Sequence, residues 1–180
     1  QSIYARDIPG FKPDLSVFGK VIGGGMPLAA FAASREIMSK LAPLGPVYQA
    51  GTLSGLPDRQ PAPRPDLKLI QRPGFFESLS ACTRSLMDGL SQAATQAGVP
   101  LVTDCQGGMF GFFFADTLPQ NYQQVMAKGS ERFNRFYHLM LDRGVYFAPA
   151  MYEAGFVSAA HTEQDIADTV AAAAEAFRQL

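Results

Sequence analysis

The chain has 180 residues, 47% hydrophobic and 17% charged, with a formal net charge of −1. That balance is too apolar for intrinsic disorder and fits one globular domain, or a small domain joined to part of another. No cluster of Lys or Arg offers a nucleic-acid footprint, no apolar run approaches the ~20 residues of a membrane span, and no signal peptide opens the chain, so neither nucleic acid nor membrane is an expected partner.

Gln1 leads into an irregular stretch with Pro9 and Pro13, a start that reads as a fragment of something longer. Leu15 to Phe18 reads as a short buried strand, ending in Gly19-Lys20 and followed by Val21-Ile22 and three glycines. A second apolar run covers Leu28 to Ala33, and Ser34 is placed to cap a helix from Arg35 to about Leu41, stopped by Pro43 and Gly45. Residues 56–66 hold Pro57, Pro61, Pro63 and Pro65 among charged residues, a spacing that predicts an irregular exposed linker.

Beyond it, Phe76, Leu79, Leu86, Leu90 and Ala94 recur at helical spacing, predicting a helix over Phe75 to Ala97 with Gly98 after its end. Leu101-Val102 and Met109 to Phe114 read as strands joined at Gly107-Gly108. Tyr122 to Asp142 reads as one amphipathic helix closed by Gly144. Val145 to Ala148 and Phe156 to Ala160 read as further strands, and Thr162 as the cap of a terminal helix reaching Leu180. These elements predict a small α+β unit over 67–180, preceded by a separate piece over 1–66.

Lys20 is the first residue with chemical promise. A lysine at the end of a buried strand carries a desolvation penalty that favours the neutral amine, the form that attacks a carbonyl. A solvent-facing lysine at the start of a loop fits the same letters. Gly23-Gly24-Gly25 permits a tight turn and close backbone approach to a ligand, as it would in any turn. The phosphate-loop pattern G-x-x-x-x-G-K-S/T fails, because Asp14 stands where its first glycine belongs and Val21 where Ser or Thr is needed. Thr52, between Gly51 and Gly55, offers a hydroxyl and free amides that suit either a phosphate or an ordinary helix cap. Cys82 and Cys105 stand in no metal-ligand spacing and read as two reduced thiols or, alternatively, one disulfide, and His138 and His161 are too few for a zinc site, so no metal is expected.

Taken together these stretches become specific. Phe18-Gly19-Lys20-Val21-Ile22-Gly23-Gly24-Gly25-Met26-Pro27 resembles the cofactor-lysine motif of the class III aminotransferases, pyridoxal-phosphate enzymes of fold type I. Pro46-Val47-Tyr48-Gln49-Ala50-Gly51-Thr52-Leu53-Ser54-Gly55 resembles the signature of one branch, the glutamate-1-semialdehyde 2,1-aminomutase family. Gly107-Gly108-Met109-Phe110-Gly111 and Met151-Tyr152-Glu153-Ala154-Gly155-Phe156, with Ala160-His161 behind it, are similar to the same family.

The resemblance implies an α/β fold, with 1–66 as the end of the large cofactor-binding domain and 67–180 as the C-terminal α+β domain. It implies Lys20 as the covalent carrier of pyridoxal 5'-phosphate and a proton shuttle, and Gly51 with Thr52 as binders of the cofactor phosphate of a neighbouring subunit, hence a homodimer. Glu153 would be a catalytic carboxylate near the active-site mouth. The implied reaction moves the amino group of glutamate 1-semialdehyde from C2 to C1, giving 5-aminolevulinate for tetrapyrrole synthesis in the cytoplasm.

Two departures qualify it. The family's aspartate for the pyridinium nitrogen lies upstream of the lysine, beyond Gln1, so these 180 residues alone are expected to be close to inactive. The family also continues after Gly55 as Asn-Pro and an Ala-rich helix where this chain reads Leu56-Pro57-Asp58-Arg59, the pattern of a compensated frame shift or of a genuine variant. The competing readings are an ω-amino acid aminotransferase of the same class and a non-catalytic module retained for association.

Overall fold

A computed structural model describes residue 10 and residues 12–23, 29–50 and 65–180. The backbone contacts divide the chain into two units, Gln1–Lys68 and Leu69–Leu180.

In the first unit, β1 (Leu15–Phe18) pairs antiparallel with β2 (Ala30–Ala33), Leu15 opposite Ala33 and Phe18 opposite Ala30. A 3-10 turn over Lys20–Gly23 follows β1. Ser34 caps α1 (Arg35–Met38) as expected, its side chain accepting the Ile37 N–H at 3.3 Å. The helix stops three residues short of the predicted Leu41. The Lys40 and Leu41 amides turn back to the carbonyls of Ile37 and Met38, and Ala42 N–H and Val47 O then close a loop at 2.9 Å. The expectation of a buried β1 is corrected: Leu15, Val17 and Phe18 are 47%, 73% and 44% exposed. Among the described residues its ladder has a partner on one side only, and no described side chain of the first unit is buried.

The proline-rich stretch also ends earlier than its letters predict. Residues 51–64 lie outside the described residues, and Pro65 and Asp66 open α2 (Pro65–Ile70). Proline is tolerated in a first helical turn because its missing N–H would have no intrahelical partner there.

The second unit has a well-packed core. α3 (Phe75–Gln96) buries Thr83, Leu86, Met87, Leu90, Ala93 and Ala94 along one stripe and ends where Gly98 takes a φ of +70°. Gly89 allows the close crossing of α6 (Glu163–Phe177): a Cβ there would meet Val170 Cγ2 at 2.5 Å. β3 (Val102–Gln106), β4 (Met109–Phe113) and β5 (Gly155–Phe156) form an antiparallel sheet in that order. Phe110, Phe112 and Phe114 alternate along the chain here, so all three rings reach one side of the sheet and enter a cluster with Phe133, Phe136, Phe147 and Phe177.

Three predicted elements differ. The single helix over 122–142 is two, α4 (Tyr122–Met126) and α5 (Glu131–Leu141), because Gly129 adopts a φ of +67° between them. Val145 to Ala148 is not a strand. The Val145 amide donates to Met140 O at 3.0 Å and finishes α5, while Phe147 is drawn into the aromatic cluster. The predicted strand over 156–160 shortens to Gly155–Phe156, since the Ser158 amide turns to the His161 ring instead of a ladder partner.

Candidate active site

The first unit holds Lys20. Its backbone takes a φ of +52°, and no other non-glycine residue among those described has a positive φ. Left-handed backbone brings Cβ close to the following carbonyl and is strained for any residue with a side chain. Strain of this kind concentrates at sites that have to aim a side chain. Lys20 is exposed, so the enclosure expected around its amine is not supplied by the described residues of the first unit. The turn behind it is held by the Ile22 N–H, which donates to Gly19 O at 3.3 Å.

Further on, the loop after α1 returns Val47 beside Leu41 and leads into Tyr48, which is 82% exposed. Gly51 and Thr52, the expected phosphate binders, lie outside the described residues, as do Gly24 and Gly25. What the structure offers a cofactor aldehyde is a primary amine on an exposed, tightly turned segment, and that donor suits such a group.

The second unit holds Glu153 on the turn before β5, its amide donating to Ala150 O at 3.0 Å. The carboxylate is exposed, and the residue borders a cavity of about 20 Å³ walled by Phe110, Phe112, Phe147 and Met151. Two glycines let the segment approach so closely. A Cβ on Gly155 would enter the Phe110 ring, and one on Gly108 would lie 2.8 Å from Val157 O. The structure thus joins two stretches the sequence singled out separately: Phe110 faces Gly155, Met109 faces Phe156, and the Val157 amide donates to Gly108 O at 2.8 Å. Lys20 and Glu153 fall in different units.

Sequence reasoning missed a cluster just beyond. Ser158 N–H donates to His161 Nδ1 at 3.0 Å, Ser158 Oγ lies 3.1 Å from the same nitrogen, and the Ala160 amide donates to Ser158 Oγ at 3.3 Å. Thr162 and Asp165 then form a capping box on α6. Asp165 titrates below its ordinary value, chiefly because the Thr162 hydroxyl donates to it at 2.6 Å, with further help from the Thr162 amide at 2.7 Å and the charge of His161. The signal was legible as Ser-x-x-His running straight into Thr-x-x-Asp. Cys82 and Cys105 are free thiols, both half-buried. Among the described residues no group of three or more His, Cys, Asp or Glu is placed to hold a metal, and no helix is long and apolar enough to cross a membrane.

Residues 2–171 match the family model for class-III aminotransferases, and the chain belongs to that family. It is 67% identical over 182 residues to the glutamate-1-semialdehyde 2,1-aminomutase of Leptothrix cholodnii, covering 99% of this chain and 42% of that protein. It is 64% identical over 178 residues to the one of Albidiferax ferrireducens, covering 99% and 41%. The chain therefore spans about two fifths of the curated relatives it matches. Among solved structures, an omega-transaminase from Sphaerobacter thermophilus superposes with a TM-score of 0.68 at 26% identity, over 94% of this chain and 39% of that one. A transaminase with PLP bound gives 0.73 at 22%, over the same shares. The fold is that of part of these enzymes.

Proposed function

We propose that these residues belong to a pyridoxal-phosphate-dependent glutamate-1-semialdehyde 2,1-aminomutase, which makes 5-aminolevulinate for tetrapyrrole synthesis in the cytoplasm and acts as a homodimer. The observation that carries the reading is the left-handed backbone of Lys20, the one described side-chain-bearing residue held at a positive φ, at the position the cofactor-lysine motif selects. The 67% identity to a named aminomutase supports the choice of reaction.

Lys20 would hold the cofactor through its amine and carry protons between the two carbons that exchange the amino group. Gly51 and Thr52 would bind the phosphate through backbone amides and a hydroxyl. Glu153 would place a carboxylate where a cationic amine can be oriented, on a turn whose backbone the β4–β5 ladder fixes. Pyridoxal phosphate, when bound, supplies the electron sink that makes such an exchange possible, and the protein supplies orientation and proton transfer.

The test uses the full-length protein. Borohydride reduction in the presence of pyridoxal phosphate, followed by peptide mapping, places the label on Lys20; label on Lys12 or Lys40 instead overturns the assignment. Formation of 5-aminolevulinate from glutamate 1-semialdehyde without an added amino acceptor separates the aminomutase from an ω-aminotransferase, which needs one.

A further inference from the structure

The segment that carries Glu153 runs from buried Met151 into β5, and its downstream tie uses a titratable ring in an unusual role. After Gly155 and Phe156 pair with β4, the Val157 amide makes the last bond to the sheet, at 2.8 Å to Gly108 O. The next amide, on Ser158, leaves the ladder and donates to Nδ1 of His161 at 3.0 Å. The Ser158 carbonyl in turn accepts the His161 amide at 3.1 Å, and Ser158 Oγ, 3.1 Å from Nδ1, accepts the Ala160 amide at 3.3 Å. Thr162 follows at once as the cap of α6.

A backbone N–H can only donate, so Nδ1 has to be an acceptor, which leaves the ring proton on Nε2. The other neutral tautomer would set two N–H groups against each other at 3.0 Å. His161 is exposed, so packing does not hold it there; the two contacts from Ser158 do.

We propose that His161 is a positioning residue: as its Nε2–H tautomer it accepts the Ser158 amide and so completes the clamp between β5 and α6 that holds the Glu153 segment against the sheet. The functional weight of this clamp rests on the reading of Glu153 given above; the clamp itself does not.

The test is made on the 180-residue chain with ¹⁵N-labelled histidine, in two parts that need neither cofactor nor activity. The His161 signals, identified by their loss in His161→Asn, show Nδ1 unprotonated and Nε2 protonated at about pH 8, where a free imidazole is neutral. Hydrogen exchange then compares His161→Ala with His161→Asn, whose side-chain oxygen can stand in for Nδ1. The alanine variant speeds exchange of the Ser158 and Val157 amides about three- to tenfold, as expected for one lost hydrogen bond; the asparagine variant stays within about twofold of the parent. A protonated Nδ1, unchanged exchange in His161→Ala, or equal loss in the two variants overturns the proposal. A catalytically neutral Glu153→Gln in the full-length enzyme would overturn the reading of Glu153 and leave the clamp standing.

Discussion

Phe136 lies at the centre of the second unit's aromatic cluster, and replacing it tests how that unit is held together. It is 1% exposed. Its ring stacks on Phe177 at a centroid distance of 4.7 Å and an interplanar angle of 11°, lies over Phe147 at 6.1 Å and 25°, and meets Phe112 and Phe114 edge-on at 5.7 and 5.6 Å. Phe136→Ala removes a fully buried ring and leaves a cavity among aromatic neighbours carried by β4 and the residue after it, by the segment after α5 and by α6, which cannot all collapse inward. The expected loss is about 3–5 kcal/mol, a fifth or more of the roughly 5–15 kcal/mol that holds a domain folded. Phe136→Leu keeps most of the apolar volume and forfeits the ring geometry, and should lose about 1–2 kcal/mol. Urea unfolding followed by far-ultraviolet circular dichroism reads both, since α3, α5 and α6 dominate the signal. With a slope of roughly 1–3 kcal/mol per molar, the alanine variant's midpoint should fall by about 1–5 M. Tyr122, 72% exposed, is the control. If Phe136→Ala shifts the midpoint no further than Tyr122→Ala does, the aromatic cluster is not the core and the packing argument fails.

Two further outcomes follow from the same structure. Thr162→Ala removes the side-chain acceptor at the start of α6 and should cost about 1 kcal/mol near neutral pH. Because Asp165 titrates below its unfolded value, chiefly through the Thr162 hydroxyl, its contribution is present above the unfolded carboxylate range and lost as pH falls through the lower folded value. The stability gap between parent and variant, followed by urea titrations from neutral to acid pH, should therefore narrow on acidification; a gap that widens in acid contradicts the assignment. We also propose that residues 67–180 fold alone as a domain while residues 1–55 stay less protected. Hydrogen exchange on the whole chain should show core amides of α3 and α6 exchanging far more slowly than those of β1 and β2, and uniform protection would count against it.

The helices were the readable part of this chain, and the reason is physical. α3 and α6 bury one stripe each, and a stripe recurring every three or four residues is written in the letters alone. Caps were readable for the same reason: Ser34 and Thr162 act locally, within three residues. What failed depended on partners the letters do not name. β1 was read as buried because an apolar run says nothing about whether a second layer covers it. Val145 to Ala148 carries strand letters, yet the preceding helix end takes the Val145 amide and the cluster takes Phe147. The split between α4 and α5 was signalled by Gly129, and the apolar period on either side outweighed it. Of the four site residues read from the sequence, Lys20 gained a conformational argument and Glu153 a fixed backbone, while Gly51 and Thr52 lie outside the described residues.

The two site residues with a structural description stand in opposite mechanical situations. Glu153 is on a turn whose downstream neighbours are pinned in succession: Gly155 against Phe110, Val157 to Gly108, Ser158 to His161. Those bonds are continuous with a buried aromatic core, so displacing the backbone just after Glu153 means breaking a ladder or opening that core. Lys20 follows a strand paired with β2 and opens a turn in which the Ile22 amide donates to Gly19 O at 3.3 Å, with no buried side chain in its unit among the described residues. A left-handed lysine costs of order 1–3 kcal/mol and persists only where its surroundings over-determine it. Among the described residues of its unit no buried side chain braces Lys20, whereas Glu153 follows buried Met151 and precedes a ladder joined to the aromatic core.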